Sequence, residues 1–120
     1  MDLVKEILDL EPKEGTVNIY WLGGTSYIIR SRKLTIGLDI YLSNVCMGKD
    51  GSYKRLVPSP VKAEDLKLDY IVATHDHGDH FDEGSLSTLI ESKDSTKLIG
   101  PASVKDAAKK LKINEKYIIE

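Results

Sequence analysis

The sequence has little of several features that mark common protein classes. Its 120 residues include one cysteine, Cys46, which excludes an intramolecular disulfide framework and indicates a reducing compartment. The N-terminal stretch MDLVKEILDLEP is interrupted by charges and lacks the apolar core of a secretory signal. No run approaches the roughly 18–20 apolar residues of a membrane span. A net charge of −2 gives no general attraction for nucleic acid. We therefore expect a cytoplasmic globular domain with neither a membrane nor a nucleic-acid partner.

Length and composition limit the chain to one domain. With 120 residues, 41% of them hydrophobic, the sequence can build one packed core but is too short for two. Residues 1–120 are therefore predicted to form a single domain. Within it, the periodic pattern is lost over residues 43–60, where glycines and prolines punctuate a polar stretch. This long loop exceeds most connections in compact domains, and loops of that length are often functional.

The order of the predicted elements indicates a mixed α/β fold. Apolar periodicity predicts helices over residues 2–10, 82–92 and 101–113. Apolar and β-branched runs predict strands over residues 16–23, 33–42, 69–75, 96–100 and 116–120, with a hairpin turn at Gly23-Gly24. Strands and helices alternate in the second half, which is typical of parallel strands joined by crossover helices. Trp21, in the first strand, is predicted to lie in the core.

All three histidines of the chain fall within the stretch ATHDHGDHFD, residues 73–82. The stretch directly follows an apolar strand, and open α/β sheets usually carry their sites at the carboxyl ends of strands. His75 and His77 are two residues apart, which places both rings on one side, and Asp79 and His80 follow within a turn. Imidazole nitrogens and carboxylate oxygens are ligands for zinc, manganese and iron. The cluster predicts a metal site, and the alternative is a solvated polar loop that happens to be rich in histidine.

The six residues HDHGDH match the HxHxDH motif of the metallo-β-lactamase superfamily. The match extends along the chain, because the segments IYWLGGTSYIIRS, LTIGLDIYL, LDYIVATHDHGDHFD and KLIGPASV resemble, in order and rough spacing, the ascorbate-6-phosphate lactonase-like branch. The resemblance covers about residues 17–120. It implies an αββα sandwich, of which this chain would form the N-terminal half.

The resemblance also implies a role for each residue of the motif. His75 and His77 would bind a first divalent ion, and Asp79 and His80 a second, with Asp79 as the candidate catalytic residue. The superfamily at large favours zinc, and the lactonase branch favours manganese. Asp39 resembles the acidic residue that these proteins place beneath the site, although an ordinary strand-end carboxylate is an equal alternative. Metal-activated hydroxide would then attack a lactone or other ester bond of a small substrate. A phosphorylated sugar acid is one example of such a substrate.

The sequence departs from the superfamily after its motif. Members draw further ligands, including histidines, from their second half, whereas this chain has no histidine after His80. The resemblance stops at Glu120, so we expect a hydrolase that is incomplete alone and that self-associates or pairs with a complementary C-terminal half. Two other functions stay open: a noncatalytic metal-binding or assembly half-domain, and a phosphodiesterase or nuclease of the same fold.

The long loop contributes a second set of candidate residues. Lys49, Lys54 and Arg55 could hold a substrate phosphate, and the alternative is a solvated basic loop. Cys46 has no histidine near it in the sequence, so we predict an unreactive loop thiol.

Overall fold

Six strands form one mixed sheet in which the spatial order of the strands follows their order in the chain. The computed structural model describes residues 2–120. The strands are β1 Asn18–Gly23, β2 Ser26–Arg30, β3 Thr35–Leu38, β4 Tyr70–Val72, β5 Lys97–Ile99 and β6 Ile118–Ile119. Strands β1, β2 and β3 pair antiparallel, and each pairing from β3 to β6 is parallel. The second half of the chain therefore has the parallel arrangement that its alternating pattern predicts.

Three short helices connect and flank these strands. They are α1 Leu3–Asp9, α2 Leu86–Glu91 and α3 Ala102–Lys110, with single 3-10 turns at Ala63–Asp65 and Glu115–Tyr117. Helix α1 begins after Asp2, whose carboxylate accepts a hydrogen bond from the backbone N–H of Lys5 at 2.9 Å. Helix α3 ends in Lys109 and Lys110, where positive charge interacts favourably with the helix dipole. All three predicted helices are present and are shorter than the sequence pattern suggests.

Local backbone geometry explains where the elements stop. The β1–β2 turn uses Gly23 at φ +102° and Gly24 at φ +55°, which confirms the predicted hairpin. The predicted strand 33–42 ends early, at Leu38, because Asp39 takes a left-handed φ of +47°. The predicted helix 82–92 starts late, at Leu86, because the carboxylate of Asp82 binds the N–H of Gly84 in a turn before the helix.

One face of the sheet carries the hydrophobic core. Leu22, Ile28, Ile71 and Leu98 lie on neighbouring strands and are buried. Their partners from the helices and from the segment before β4 are also buried, namely Ile7, Leu66, Leu68, Leu89, Ile90, Val104 and Ala108. Burial of these side chains supplies the main favourable free energy of folding, because apolar surface is removed from water.

The opposite face of the sheet, here called the open face, is also apolar but has no covering layer among residues 2–120. Its side chains follow from the strand register, which aligns Ile19 with Ile29 and Ile36, and Tyr27 with Leu38 and Val72. Its apolar members are Ile19, Trp21, Tyr27, Ile29, Ile36, Leu38, Tyr70, Val72, Ile99 and Ile119, and one lysine, Lys97, lies opposite Tyr70 on the same face. The predicted core position of Trp21 is wrong: the residue is 66% exposed, because its strand turns it toward this face.

The segment between β3 and Ala63 contains no helix or strand, and the long loop 43–60 lies within it. The buried carboxylate of Asp82 ties down the start of this segment. It accepts hydrogen bonds from the N–H of Leu42 at 2.8 Å and from the N–H and hydroxyl of Ser43 at 3.0 and 2.5 Å. The loop is therefore attached to the residues that directly follow the histidine motif. None of the helices over residues 2–120 is long and apolar enough to cross a membrane.

Asp69, which precedes β4, gives a pH-dependent test of the sheet. Its carboxylate forms an ion pair with Lys93 and accepts the N–H of Thr35 at 2.8 Å. Burial acts to raise the pKa of Asp69, but the contacts with Lys93 and Thr35 outweigh it, and the pKa lies below its ordinary value. A carboxyl whose pKa is lowered in the folded state stabilises the fold above its unfolded pKa, about 3.9, and loses that effect as the pH falls through the folded value.

We predict that Asp69→Asn lowers the free energy of unfolding by about 1 kcal/mol at pH 7, because it removes the ion pair and weakens a hydrogen bond. The difference from the wild type should shrink as the pH falls below about 4. Urea denaturation of both proteins at a series of pH values measures it, with Asp106→Asn as an exposed control. A difference that is the same at low and neutral pH would contradict the assignment.

Candidate metal centre

The histidine motif lies directly after β4, at the carboxyl edge of the parallel part of the sheet. Two backbone hydrogen bonds close a turn within it, from the N–H groups of His80 and Phe81 to the carbonyl of His77, at 2.9 and 2.7 Å. Phe81 is buried and anchors the end of this turn in the core. The predicted position of the motif at a strand end therefore matches the structure, and the turn brings residues 75–80 back toward one another.

The structure places the three imidazoles side by side. The ring centroids of His75 and His77 are 4.7 Å apart, and those of His75 and His80 are 4.0 Å apart. The Nε2 atom of His80 lies 3.5 Å from a carboxylate oxygen of Asp79. Asp79 itself is exposed, its side chain 59% accessible. All four residues that the motif proposes as metal ligands thus border one small region.

Asp39 lies directly behind these histidines. Its carboxylate is buried and accepts the backbone N–H of Thr74 at 2.7 Å on one oxygen. The other oxygen accepts the hydroxyl of Thr74 and receives Nδ1 of His80, both at 2.9 Å. The hydroxyl of Thr25 lies 3.3 Å from the same His80 nitrogen. Asp39, which follows β3, is therefore hydrogen-bonded to two residues that follow the neighbouring strand β4.

These contacts determine where the imidazole protons lie. An ionised carboxylate can only accept hydrogen bonds, so Nδ1 of His80 must carry the hydrogen that points at Asp39. The hydroxyl of Thr74 gives its one hydrogen to Asp39, so its oxygen must accept from Nδ1 of His75, which lies 2.9 Å away. In the neutral form of each ring, the single hydrogen is then on Nδ1, and Nε2 is the donor atom that remains for a metal ion. Neutral histidine with a free Nε2 is the form that binds metal ions.

The protonation state of Asp39 fits this arrangement. Burial acts to raise the pKa of the Asp39 carboxyl, but the hydrogen bonds from His80 and Thr74 outweigh it, and the pKa lies below its ordinary value. The carboxyl is therefore ionised at neutral pH and remains an acceptor for both side chains. A carboxylate in hydrogen-bond contact with a ligating histidine orients the ring and raises its basicity toward a metal.

The donor chemistry of the cluster suits a divalent ion such as zinc or manganese. Over residues 2–120, however, no three histidine, cysteine, aspartate or glutamate side chains converge in an arrangement that would already hold a metal ion. The ligand roles of His75, His77, Asp79 and His80, and the supporting role of Asp39, stay predictions. What the structure adds is the hydrogen-bond network that prepares two of the donors.

A cavity of about 490 Å³ opens beside the cluster. Its lining includes Asp79 together with residues of the β1–β2 turn and of the segment after β3, namely Trp21, Gly23, Gly24, Thr25, Ser26, Tyr41, Arg55, Leu56 and Val57. Of the three basic residues proposed as substrate contacts, Arg55 lines this cavity, whereas Lys49 and Lys54 are exposed and do not. The substrate role proposed for the three stays a prediction, and the cavity favours Arg55.

Several residues around the histidine cluster and the cavity were not among the predicted site residues. Thr25 and Tyr41 reach it from β1–β2 and from the segment after β3, and no local pattern marks them. Asp82 holds the long loop from its position two residues after His80. Its closeness to the motif in the sequence marks Asp82 as a candidate site residue. Only the fold shows which N–H groups its carboxylate binds. Cys46 lies against Gly78, since a β-carbon added there would sit 2.8 Å from its Sγ.

Comparison with known proteins gives partial matches. No protein-family model matches the chain. It is 37% identical over 67 residues to a UPF0173 metal-dependent hydrolase from Hyperthermus butylicus, a match that covers 54% of this chain and 24% of that protein. It is 44% identical over 48 residues to a UPF0173 metal-dependent hydrolase from Staphylococcus carnosus, covering 40% of this chain and 20% of that protein. The matches thus span a quarter or less of the length of these curated relatives.

Two solved structures share the fold, each with a TM-score of 0.53. A Parabacteroides distasonis protein described as a metal-dependent hydrolase is 20% identical and aligns with 82% of this chain and 36% of its own. A mutant of the β-hydroxylase CmlA is 18% identical and aligns with 92% of this chain and 22% of its own. The predicted fold class, a mixed α/β sheet of metallo-β-lactamase-like type, is confirmed. Because proteins described by different reactions share it, the fold alone does not decide the chemistry.

The hydrogen-bond network predicts different outcomes for two substitutions. His77→Ala removes a donor and should weaken zinc or manganese binding sharply. Asp39→Asn keeps every donor but no longer restricts His80 to one tautomer, so we predict a 10–100-fold loss of affinity. Asparagine tolerates the left-handed backbone of this position, so the substitution is compatible with the fold. Calorimetric metal titration compares the proteins.

The matched control is Asp76→Asn, which alters an exposed carboxylate of the same motif with no contact to Asp39. Its affinity should stay within about twofold of the wild type, as expected for a surface substitution. Unchanged affinity in His77→Ala would remove that ligand assignment. An equal loss in Asp39→Asn and Asp76→Asn would remove the specific role of Asp39.

Proposed function

We propose that this chain forms the N-terminal half of a metal-dependent hydrolase. The observation that carries the proposal is the network from His75 through Thr74 to Asp39 and His80, which places the hydrogen of each neutral ring on Nδ1 at the carboxyl edge of the sheet. The curated relatives described above are named metal-dependent hydrolases, which supports the same function. The network distinguishes this proposal from a solvated loop, because such a loop would need no buried carboxylate behind its histidines.

Each residue of the cluster has a distinct part in this proposal. His75 and His77 would hold one divalent ion, and Asp79 and His80 a second, with zinc or manganese as the metal. When bound, the ions would supply Lewis acidity that makes hydroxide available near neutral pH. Asp39 and Thr74 fix the tautomers and the ring positions. Asp79, exposed and bordering the cavity, would be both ligand and catalytic residue where substrate meets the centre.

The proposed substrate is a small molecule with a lactone or other ester bond, and a phosphorylated sugar acid is one such molecule. A cavity of about 490 Å³ lies in the range of small-molecule sites. The net charge of −2 gives no general attraction for a nucleic-acid substrate. The single, partly buried cysteine suits the reducing cytoplasm, where we propose that the protein acts.

The open face supports a requirement for a second sheet. Ten aliphatic and aromatic side chains lie on it beside a single lysine, and three of the ten are strongly exposed: Ile19 at 63%, Trp21 at 66% and Ile119 at 44%. In a sandwich fold such a face packs against the inner face of another sheet. We propose that a complementary C-terminal half of the same fold occupies it and brings the remaining metal ligands. Self-association through the same face is the competing outcome.

A fusion experiment tests the function. The chain is joined to the part of the Staphylococcus carnosus relative that continues beyond the position equivalent to Glu120, and the fusion and the chain alone are loaded with manganese or zinc. We expect the fusion to hydrolyse lactones of sugar acids at a rate that Asp79→Asn lowers at least about 100-fold, and the chain alone to show little turnover. Size-exclusion chromatography with light scattering reports whether the chain alone self-associates.

Three outcomes would count against parts of the proposal. Faster cleavage of a phosphodiester than of any lactone would favour the phosphodiesterase alternative. Full turnover by the monomeric chain would remove the need for a second half. A folded fusion that binds metal but hydrolyses no ester would favour a noncatalytic metal-binding module.

A further inference from the structure

The cavity beside the histidine cluster combines an apolar wall with a single cationic group. Trp21, Leu56 and Val57 supply apolar surface, and each of them is strongly exposed. Arg55 is the one basic side chain among its lining residues, and Asp79 is the one acidic side chain. A cavity with this lining offers different contacts to the two ends of a ligand.

Arg55 is held in place by the protein backbone. Its Nη1 donates to the carbonyl of Tyr41 at 2.8 Å, and its Nε donates to the carbonyl of Val57 at 3.4 Å. Its own N–H donates to the side-chain oxygen of Asn44 at 3.1 Å, and its guanidinium carbon lies 5.4 Å from the centre of the Tyr41 ring. These contacts fix the guanidinium before any ligand arrives, so less conformational entropy is lost on binding.

The remaining nitrogen of this guanidinium has no hydrogen-bond partner among residues 2–120. Nη2 of Arg55 donates no hydrogen bond to any residue from 2 to 120, and no carboxylate in that range lies within 4.0 Å of the guanidinium. A β-carbon added to Gly23 would sit 3.7 Å from Nη2, so this nitrogen faces the β1–β2 turn where the cavity opens. The charge of Arg55 is therefore available to an anion in the cavity.

We propose that the cavity binds an organic anion, with its carboxylate or phosphate oxygens accepting hydrogen bonds from Arg55 and its uncharged part against Trp21. The proposal rests on the proposed hydrolase function for its orientation: the charged end lies at Arg55, and the bond to be cleaved lies toward Asp79. It adds a substrate class, an ester or lactone that carries a separate anionic group. It also assigns the recognition to Arg55 and not to Lys49 or Lys54.

The protein carries its own reporter for this site. Trp21 is the sole tryptophan of the chain and lines the cavity, so a ligand that packs against it should change the fluorescence. Titrations use metal-free protein and three probes that do not absorb in the tryptophan range: cyclohexanecarboxylate, cyclohexyl phosphate and cyclohexanol. The first two carry the alternative anionic groups, and the third carries none. The stronger binder of the two anions identifies which group the site accepts.

Two variants remove the same charge at neighbouring positions. Arg55→Met should weaken the binding of both anions at least about tenfold and leave cyclohexanol unaffected, because charge-assisted hydrogen bonds are lost. Lys54→Met, at an exposed position outside the cavity, should bind all three probes as the wild type does. Arg55→Lys keeps the charge and can still reach the Tyr41 carbonyl but lacks the forked donor, so we expect a loss of a few fold.

Several results would overturn the proposal. The first is that the anions bind the wild type no better than cyclohexanol does. The second is that the Arg55 and Lys54 variants lose the same affinity for the anions. If Arg55→Met does not fold, unchanged affinity for the anions in Arg55→Lys would overturn the proposal instead. Circular dichroism identifies a variant that has not folded. Because the titration needs neither metal nor turnover, its failure would leave the hydrolase proposal intact. Conversely, an inactive fusion that still binds anions through Arg55 would leave this site in place.

Discussion

The candidate site depends on one buried carboxylate, that of Asp39. It is 5% exposed and accepts three hydrogen bonds, from the N–H and hydroxyl of Thr74 and from His80. Removing the partners of a buried charge is costly, about 3–5 kcal/mol, so the motif is held to this carboxylate. In return, the carboxylate holds a hydrogen on Nδ1 of His80 directly and, through the hydroxyl of Thr74, on Nδ1 of His75. A histidine cluster without this support would have free ring tautomers and free ring positions.

The parallel part of the sheet makes this contact possible. Strands β3 and β4 are neighbours, so their carboxyl ends meet, and the N–H of Asp39 donates to the carbonyl of Val72 at 2.8 Å. The left-handed backbone at Asp39 then ends β3 and turns its side chain toward the motif. Asp82 fastens the chain after β3 to the residues after the motif, and the cavity lies beside this junction. Fold, network and cavity therefore share one edge.

Features that depend on residues close together in the chain could be predicted from the sequence. The six residues from His75 to His80 contain four candidate ligands, and the apolar strand before them places the motif at a sheet edge. The αββα half-fold was expected from the resemblance of these segments to the metallo-β-lactamase superfamily. Contacts between distant segments were harder to predict. Asp39 and His80 are 41 residues apart, and their pairing requires the β3–β4 register.

The error at Trp21 has a similar physical cause. A strand with apolar residues on both faces has no alternation that would tell the covered face from the uncovered one. Trp21 and Leu22 are adjacent and equally apolar, yet one is 66% exposed and the other 2%. The helices pack on the Leu22 side, and that choice is made by the whole sheet. Likewise, the sequence does not distinguish Arg55 from Lys49 and Lys54 as a substrate contact. The distinction depends on the position of Tyr41 and of the cavity in the fold.

The most direct test of this account is the tautomer of the two supported histidines in the metal-free protein. Long-range proton–nitrogen NMR correlation spectra of protein with 15N-labelled histidine distinguish a hydrogen on Nδ1 from one on Nε2. The network predicts Nδ1–H for both His75 and His80 near neutral pH, and a loss of that uniformity at His80 in Asp39→Asn. Nε2–H at His80 in the wild type would contradict the claim that Asp39 prepares this ring for a metal ion.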